Sequence, residues 1–462
     1  MQRILAIAWL TWKAALRFRL FLVIAVLLIA AVVGLPILIK DDGTARGFTQ
    51  ILLTYTLSAI TALLGLSTLW LACGTLARDI EECQIQVVAT KPVARWQIWL
   101  GKWLGIMTLN AVLLAISGLC IYSLLQWRAS KLPADQQIVL RSEVLVARGS
   151  AREKNHDAEI DAAAKQVLQE RLKSTPVTTA DLPEVERQIR EQVKATYQVV
   201  PPGAYRHWPI DLSAVKDSLR GRPLQLRVKF NSAGGGSSAT LLALWQVGDA
   251  EKQHVWRTET PMSLAPDTFH EFQVDADLLD DKGVLNIVFM NPNNTAMLFP
   301  LEDGMEVLYP AGGFGGNFAR GLGIIFCWMA LLAALGLTAA SFLSFPVATF
   351  FSLAMLTVVL SSGTLADAID SGSVAAGNEE TGVAGHSIAD VVLIPAFKGV
   401  LSVVKLVQNF SPIDALSVGR SITWLELGTA FSQIVLLIGG IIGLIGIVLF
   451  NRRELATAQG TQ

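Results

Sequence analysis

The sequence predicts a membrane all-α protein: six transmembrane helices in two halves of three with an N-terminal amphipathic elbow helix, plus an extracytoplasmic α+β domain containing a β-sandwich. Three observations predict it. The chain has 462 residues, 52% hydrophobic and only 16% charged, and a mean hydropathy of +0.48; a soluble chain carries about 25% charged residues. Apolar runs approaching or exceeding the ~20 residues that cross a bilayer recur on both sides of one long polar region. Inside that region the pattern turns to two-residue alternation, the period of a strand. The formal net charge of -1 gives no basis for nucleic-acid binding.

The segment Met1–Arg19 reads as an amphipathic helix. Gln2, Arg3, Lys13 and Arg17 share one arc, which Leu10 interrupts, and Trp9, Trp12, Leu16 and Phe18 supply the opposite surface. Such a helix suits the headgroup plane. Spans are predicted at Leu20–Ile39, Phe48–Leu76 and Leu104–Leu125, then at Gly321–Leu343, Val347–Leu365 and Leu425–Phe450. The second is rich in hydroxyls (Thr49, Thr54, Thr56, Ser58, Thr61, Ser67, Thr68), as expected of a helix that faces other helices. Basic residues gather before the first span (Arg3, Lys13, Arg17, Arg19), between the second and third (Arg78, Lys91, Arg95, Lys102) and after the last (Arg452, Arg453). The positive-inside rule then makes both termini cytoplasmic in a multi-pass inner (cytoplasmic) membrane protein. Ala389–Val407 is almost long enough to cross, but carries Pro395, Lys398, Gly399 and Lys405. It reads as re-entrant or interfacial on the outer face, because a lysine at mid-bilayer costs about 2.5–3.5 kcal/mol. The domains follow as 1–127, 128–317 and 318–462.

The central domain reads as helical over 151–197, with Asp181 as an N-cap before acidic residues, then as strands. In "PLQLRVKF", Leu224, Leu226, Val228 and Phe230 form one face, and Gln225, Arg227 and Lys229 the other. "TLLALWQV", "HEFQVDA" and "GVLNIVFMN" are further strands, and "SEVLVAR" is an earlier one. Trp208, Trp245 and Trp256 suit either a core or a set of sugar-stacking platforms, with the core preferred. Met290, Met297 and Met305 read as core filling. All four cysteines (Cys73, Cys83, Cys120, Cys327) lie in or beside apolar segments, so no disulfide framework staples the domain. The five histidines lack metal-ligand spacing, and no phosphate-binding glycine loop or nucleophile elbow occurs. The chain is therefore expected to be no enzyme and to bind no cofactor or metal.

One short segment breaks the apolar texture: "RDIEECQIQVVATKPVARWQIWLGKWLG", Arg78–Gly105. Asp79–Val88 reads as a short helix with acids near its start, which suits the helix dipole, and Pro92 stops it. Trp96, Trp99 and Trp103 follow at i, i+3 and i+7, flanked by Arg95 and Lys102, as an interfacial anchor. An ordinary basic loop explains the charges alone. The whole pattern resembles the coupling segment of ABC-2-type transporter permeases, especially the NosY-like group: an acidic residue (Glu81 or Glu82), a short helix, a turn of Thr90, Lys91, Pro92, Val93 and Arg95, then Gly101, Lys102 and Gly105 opening the third span. Gln84 stands where the family often has threonine. "SFLSFPVA" and "FNRREL" extend the resemblance, which covers both membrane halves but not the central domain.

The resemblance implies a transmembrane permease subunit that moves or extracts a substrate. Its partners would be separate cytoplasmic ABC ATPase subunits, which bind the ATP, and a second permease subunit, identical or not. Glu81, Glu82, Thr90, Lys91, Pro92, Arg95 and Lys102 would form its ATPase-coupling surface. Two other readings remain open. One is an ATPase-linked mechanotransmitter acting on envelope partners; the other is a membrane-anchored protein whose sandwich binds an extracytoplasmic peptide, protein or glycan.

Overall fold

The structure, a computed structural model, describes residues 2–17, 19–38, 44–82, 93–174, 182–219, 221–232, 240–249, 254–361 and 390–453. The chain divides into a helical unit, Met1–Ala147 with Gly312–Gln462, and a sheet unit, Arg148–Ala311. The predicted boundaries near 127 and 317 therefore move inward. Leu140, Val144 and Leu145 on one side, and Phe314 and Phe318 on the other, pack into the core of the helical unit. The helix Ala134–Glu143 lacks the length of a span, and Phe314–Phe318 precedes the continuous apolar run that begins at Gly321, so hydropathy alone leaves both in the polar region.

The helical unit begins with α1 (Gln2–Arg17), α2 (Arg19–Leu38), α3 (Ala45–Glu81), α4 (Arg95–Ala129) and α5 (Ala134–Glu143). After the sheet unit come α8 (Phe314–Phe342), α9 (Phe345–Leu360), α10 (Asp390–Gln408) and α11 (Pro412–Ser417). The last helix, α12 (Trp424–Arg452), has a π-helical stretch at Phe431–Gly439. Among the described residues four helices are long and apolar enough to cross a membrane: Gly47–Glu81, Arg95–Ala129, Phe314–Phe342 and Trp424–Arg452. They mark the chain as a membrane protein. α2 and α9 are apolar helices of 20 and 16 residues.

Small and hydroxyl-bearing residues set the packing. In α3, Thr49, Thr56 and Thr68 are buried as predicted, while Ser58 faces outward. The buried threonines return their hydroxyls to the backbone one turn back, Thr56 to Leu52 at 2.6 Å and Thr68 to Leu64 at 2.6 Å, which removes the penalty of an unpaired hydroxyl. Asn110 of α4 then donates to Thr68 at 2.8 Å. At the end where α3 begins, Arg128 of α4 lies 3.8 Å over the Phe48 ring. There Asn317 of α8 donates to the Arg420 carbonyl at 2.6 Å and accepts from the Ile422 amide at 2.7 Å. The chain between α11 and α12 is thereby fixed to the start of α8.

α10 is one helix of 19 residues that passes through Pro395. A proline in a helix removes one hydrogen bond without necessarily ending the helix. Lys398 and Lys405 are exposed. Ala389, like Asp181, lies outside the described residues.

The sheet unit holds β1 (Val146–Arg152), α6 (Asp157–Ser174), α7 (Leu182–Gln198), β2 (Val199–Val200), β3 (Tyr205–Asp211), β4 (Pro223–Val228) and β5 (Asn231–Ser232). It continues with β6 (Leu241–Asp249), β7 (His254–Arg257), β8 (Met262–Leu264), β9 (His270–Asp275), β10 (Val284–Met290), β11 (Met297–Leu298) and β12 (Met305–Gly313). One sheet runs β1-β12-β4-β9, a second β3-β10-β6-β7 with β8 also on β6, and a third β2-β11-β5. The strand predicted at Ser142–Arg148 starts later, because α5 runs to Glu143.

Residues from both larger sheets share one apolar core: Leu224, Leu226 and Val228 from the first, Trp208, Trp245 and Phe289 from the second. Trp208 and Trp245 are fully buried against Phe299 and Phe289, with ring centroids 5.2 and 4.8 Å apart, so neither offers a face to a sugar. Trp256 stacks on Phe272 at the rim of this core. Met297 and Met305 fill the core, whereas Met290 does not.

The predicted polar face of β4 is not solvated. Arg227 is buried 3.2 Å from Glu306, and Arg148 lies 3.2 Å from Glu271. Alternation assigns a residue to a face but does not say what covers that face. Here opposite charges on neighbouring strands neutralise one another, which makes their burial tolerable.

Candidate functional site

The singled-out segment joins α3 to α4. Thr90, Lys91 and Pro92 lie outside the described residues; its two flanks are described. α3 does not stop at Leu76 but continues to Glu81. Asp79 is therefore in the last turn of a long helix rather than the first turn of a short one. A carboxylate there faces the negative end of the helix dipole. Its compensation comes from α4: Lys102 reaches Asp79 at 2.5 Å and the Thr75 carbonyl at 2.7 Å.

Lys102 is only 7% exposed, so it does not serve as a solvated headgroup contact. It ties two long helices together at a fixed register. Sequence reasoning missed this pairing because 23 residues separate the partners. The signal was a lysine between Trp99, Leu100, Trp103 and Leu104, just before the predicted span, where a charge needs a partner.

Four further charged side chains hold helix ends here. Glu81 accepts the Phe345 amide of α9 at 2.8 Å, and Arg78 lies 4.4 Å over the Phe345 ring. Arg95 donates to the carbonyls of Phe450, Asn451 and Arg453 at 2.7–2.9 Å. Arg453 in turn reaches the carbonyls of Ala340 and Ser341 at 3.4 and 3.3 Å. The last carbonyls of a helix have no partner inside it, and a cation there also suits the dipole. Arg95, predicted as part of a docking surface, thus caps α12. Arg453 caps α8. Glu82, at the C-terminal end of α3, is exposed.

The three tryptophans lie in different surroundings. Trp96 is exposed, but Trp99 is buried against Gly443 and Gly446 of α12. Trp103 donates its indole N–H to the Ala330 carbonyl of α8 at 3.1 Å. Their helical spacing carries each ring to a different neighbour in the bundle. The two glycines of the same stretch face α1. A Cβ on Gly101 would stand 2.7 Å from the Ile7 Cβ, and one on Gly105 2.7 Å from the Thr11 Cβ. With Trp12 donating to Thr108 at 2.8 Å, α1 runs parallel to α4 in a small-residue groove. The apolar and hydroxyl face of α1 (Ala8, Thr11, Ala15) is turned inward, and Trp9 is exposed.

The helix ends on either side of residues 83–92 are thus tied through Glu81, Arg95 and Lys102 to one another, to α9 and to α12, and Arg453 ties α12 to α8. The site holds no group of histidine, cysteine, aspartate or glutamate able to take a metal among the described residues. No family model, no curated protein and no solved structure matches this chain.

Proposed function

We propose that this chain is the transmembrane subunit of an ATP-driven transporter, moving or extracting a substrate with separate cytoplasmic ATPase subunits. The observation that supports it best is the clamping together of five helix ends around the α3–α4 connection. A push on that loop moves the bundle as one piece, as a coupling element requires. In this reading α2 and α9 complete six spans, and the loop, the α8–α9 turn and the C-terminus are cytoplasmic. The sheet unit is then an extracytoplasmic sandwich, which its shared core supports. α10 is an outer-face element, and two copies, identical or paired with a relative, form the pathway.

The second reading, a mechanotransmitter that drives envelope partners, draws on the size of the sheet unit. Both readings need an ATPase; a membrane-anchored peptide or glycan binder does not. Full-length protein is purified from its own membranes with and without Glu82→Lys, a substitution at an exposed position at the end of α3. The expected result is an ABC ATPase that co-purifies with the wild type and is lost from the variant, with both proteins equally folded. Absence of any ATPase, or equal recovery with Glu82→Lys, overturns the coupling role.

A further inference from the structure

We propose that Arg320 and Trp424 form a site for the phosphodiester headgroup of a phospholipid, at the end of the helical unit where α8 and α12 begin. This does not depend on the ATPase reading. The Arg320 guanidinium lies 5.4 Å from the Trp424 ring centroid. Trp424 is 72% exposed and Leu425 77% exposed, so an aromatic and an aliphatic side chain stand open beside the cation.

No acid answers that cation among the described residues. Arg320 is half-buried, and its Nε is enclosed with no hydrogen-bond acceptor. The polar neighbours on its own helix and on α12 are engaged elsewhere. Asn317 is occupied by the backbone of Arg420 and Ile422. Glu426 accepts from the Thr423 amide at 3.4 Å in a capping box. A guanidinium half-removed from water and left without an anion is costly.

The depth of Arg320 selects the anion. α8 has 29 residues, about 44 Å at 1.5 Å per residue. Centred on a ~30 Å hydrocarbon core it overhangs by roughly 7 Å at each end. Arg320 is six residues after Phe314, roughly 9 Å in, and so just below the boundary. Its side chain turns back toward the start of α8: Nη1 lies 3.9 Å from where a Cβ on Gly316 would stand. The guanidinium therefore reaches up to headgroup level, where a planar fork matches two phosphate oxygens. Trp424 and Leu425 supply the contact for the glycerol and upper acyl chain, the usual place of an interfacial tryptophan. A free phosphate shares the oxygens but leaves that apolar pair uncovered, so the occupant is a lipid.

The test is native mass spectrometry of the full-length protein in detergent with phosphatidylglycerol, phosphatidylcholine, diacylglycerol or inorganic phosphate. Both phospholipids should bind, with affinity about tenfold lower in Arg320→Gln and partly kept in Arg320→Lys. Diacylglycerol and inorganic phosphate should not displace them at equal concentration. Equal binding by wild type and Arg320→Gln overturns the site. Displacement by diacylglycerol makes it a chain site, and displacement by inorganic phosphate a free-anion site; either overturns the lipid headgroup assignment. Trp424→Leu, on the surface, should leave the lipid-free melting temperature unchanged and still weaken phospholipid binding; undiminished binding in that variant also overturns it.

Discussion

The Lys102 ammonium lies 2.5 Å from the Asp79 carboxylate, with the lysine buried and the acid about one-third exposed. The two halves of this pair are therefore unequal. Removing the acid leaves a buried cation, whereas removing the lysine leaves a carboxylate that water can reach. Asp79→Ala should destabilise the protein by about 3 kcal/mol and Lys102→Met by about 1 kcal/mol. The double variant Asp79→Leu with Lys102→Met should recover much of the loss. Denaturation in detergent checks the ranking; equal losses from the two single variants would contradict it.

Gly105 lies so close to α1 that a Cβ would meet Thr11 at 2.7 Å and the Ala8 carbonyl at 2.9 Å. Gly105→Val should push α1 off α4, at about 1–3 kcal/mol. A cysteine pair at Trp12 and Thr108, whose side chains now share a 2.8 Å hydrogen bond, should cross-link in the parent and fail to do so with Gly105→Val. Undiminished cross-linking would show that the groove is not tight.

Arg95 satisfies three carbonyls at the end of α12, which the compact ammonium of lysine cannot do in that geometry. Arg95→Lys and Arg95→Ala should both speed amide hydrogen exchange in the last turn of α12, by about tenfold for the alanine variant. Exchange that stays at the wild-type rate there would remove the capping role.

His156 sits between two carboxylates, Nδ1 2.9 Å from Glu159 and Nε2 3.2 Å from Glu153. Glu159 leads in raising its pKa above 6.5, partial burial opposes it, and Glu153 adds to it. A raised folded-state value means that the stabilisation is complete below about 6.5 and fades as pH climbs through the folded pKa. Melting temperature should therefore fall with rising pH above that point in the wild type and less so in His156→Gln. Parallel pH profiles would exclude the histidine.

Long periodic elements were legible in the sequence, and their partnerships were not. Each of the four span-length helices covers one predicted span and runs beyond it, and β4, β6, β9 and β10 overlap predicted strands, because apolar periodicity records burial directly. The residues around the α3–α4 loop were singled out for charge and spacing, yet Arg95, Lys102 and Trp99 turn inward. Each interacts with a helix distant in sequence, and no local pattern encodes which carbonyl an arginine will find. The same limit hid Arg227, whose neutralising acids lie on other strands. Arg453 was read only as a charge that orients the chain, although it also closes α8.

β1 and β12, the first and last strands of the sheet unit, are neighbours in one sheet. The residues at the seam show it directly: a Cβ on Gly312 would lie 3.9 Å from that of Ala147. The 164-residue stretch between them, Arg148–Ala311, thus begins and ends on neighbouring strands, like a cassette. A tight two-residue turn can bridge neighbouring strands, which are about 4.8 Å apart. The helical unit is therefore compatible with excision of the whole cassette, or with exchange for another domain whose termini are close. Shuffling there would replace the sheet unit alone and keep the residues that make every clamp described around Glu81, Arg95, Lys102 and Arg453.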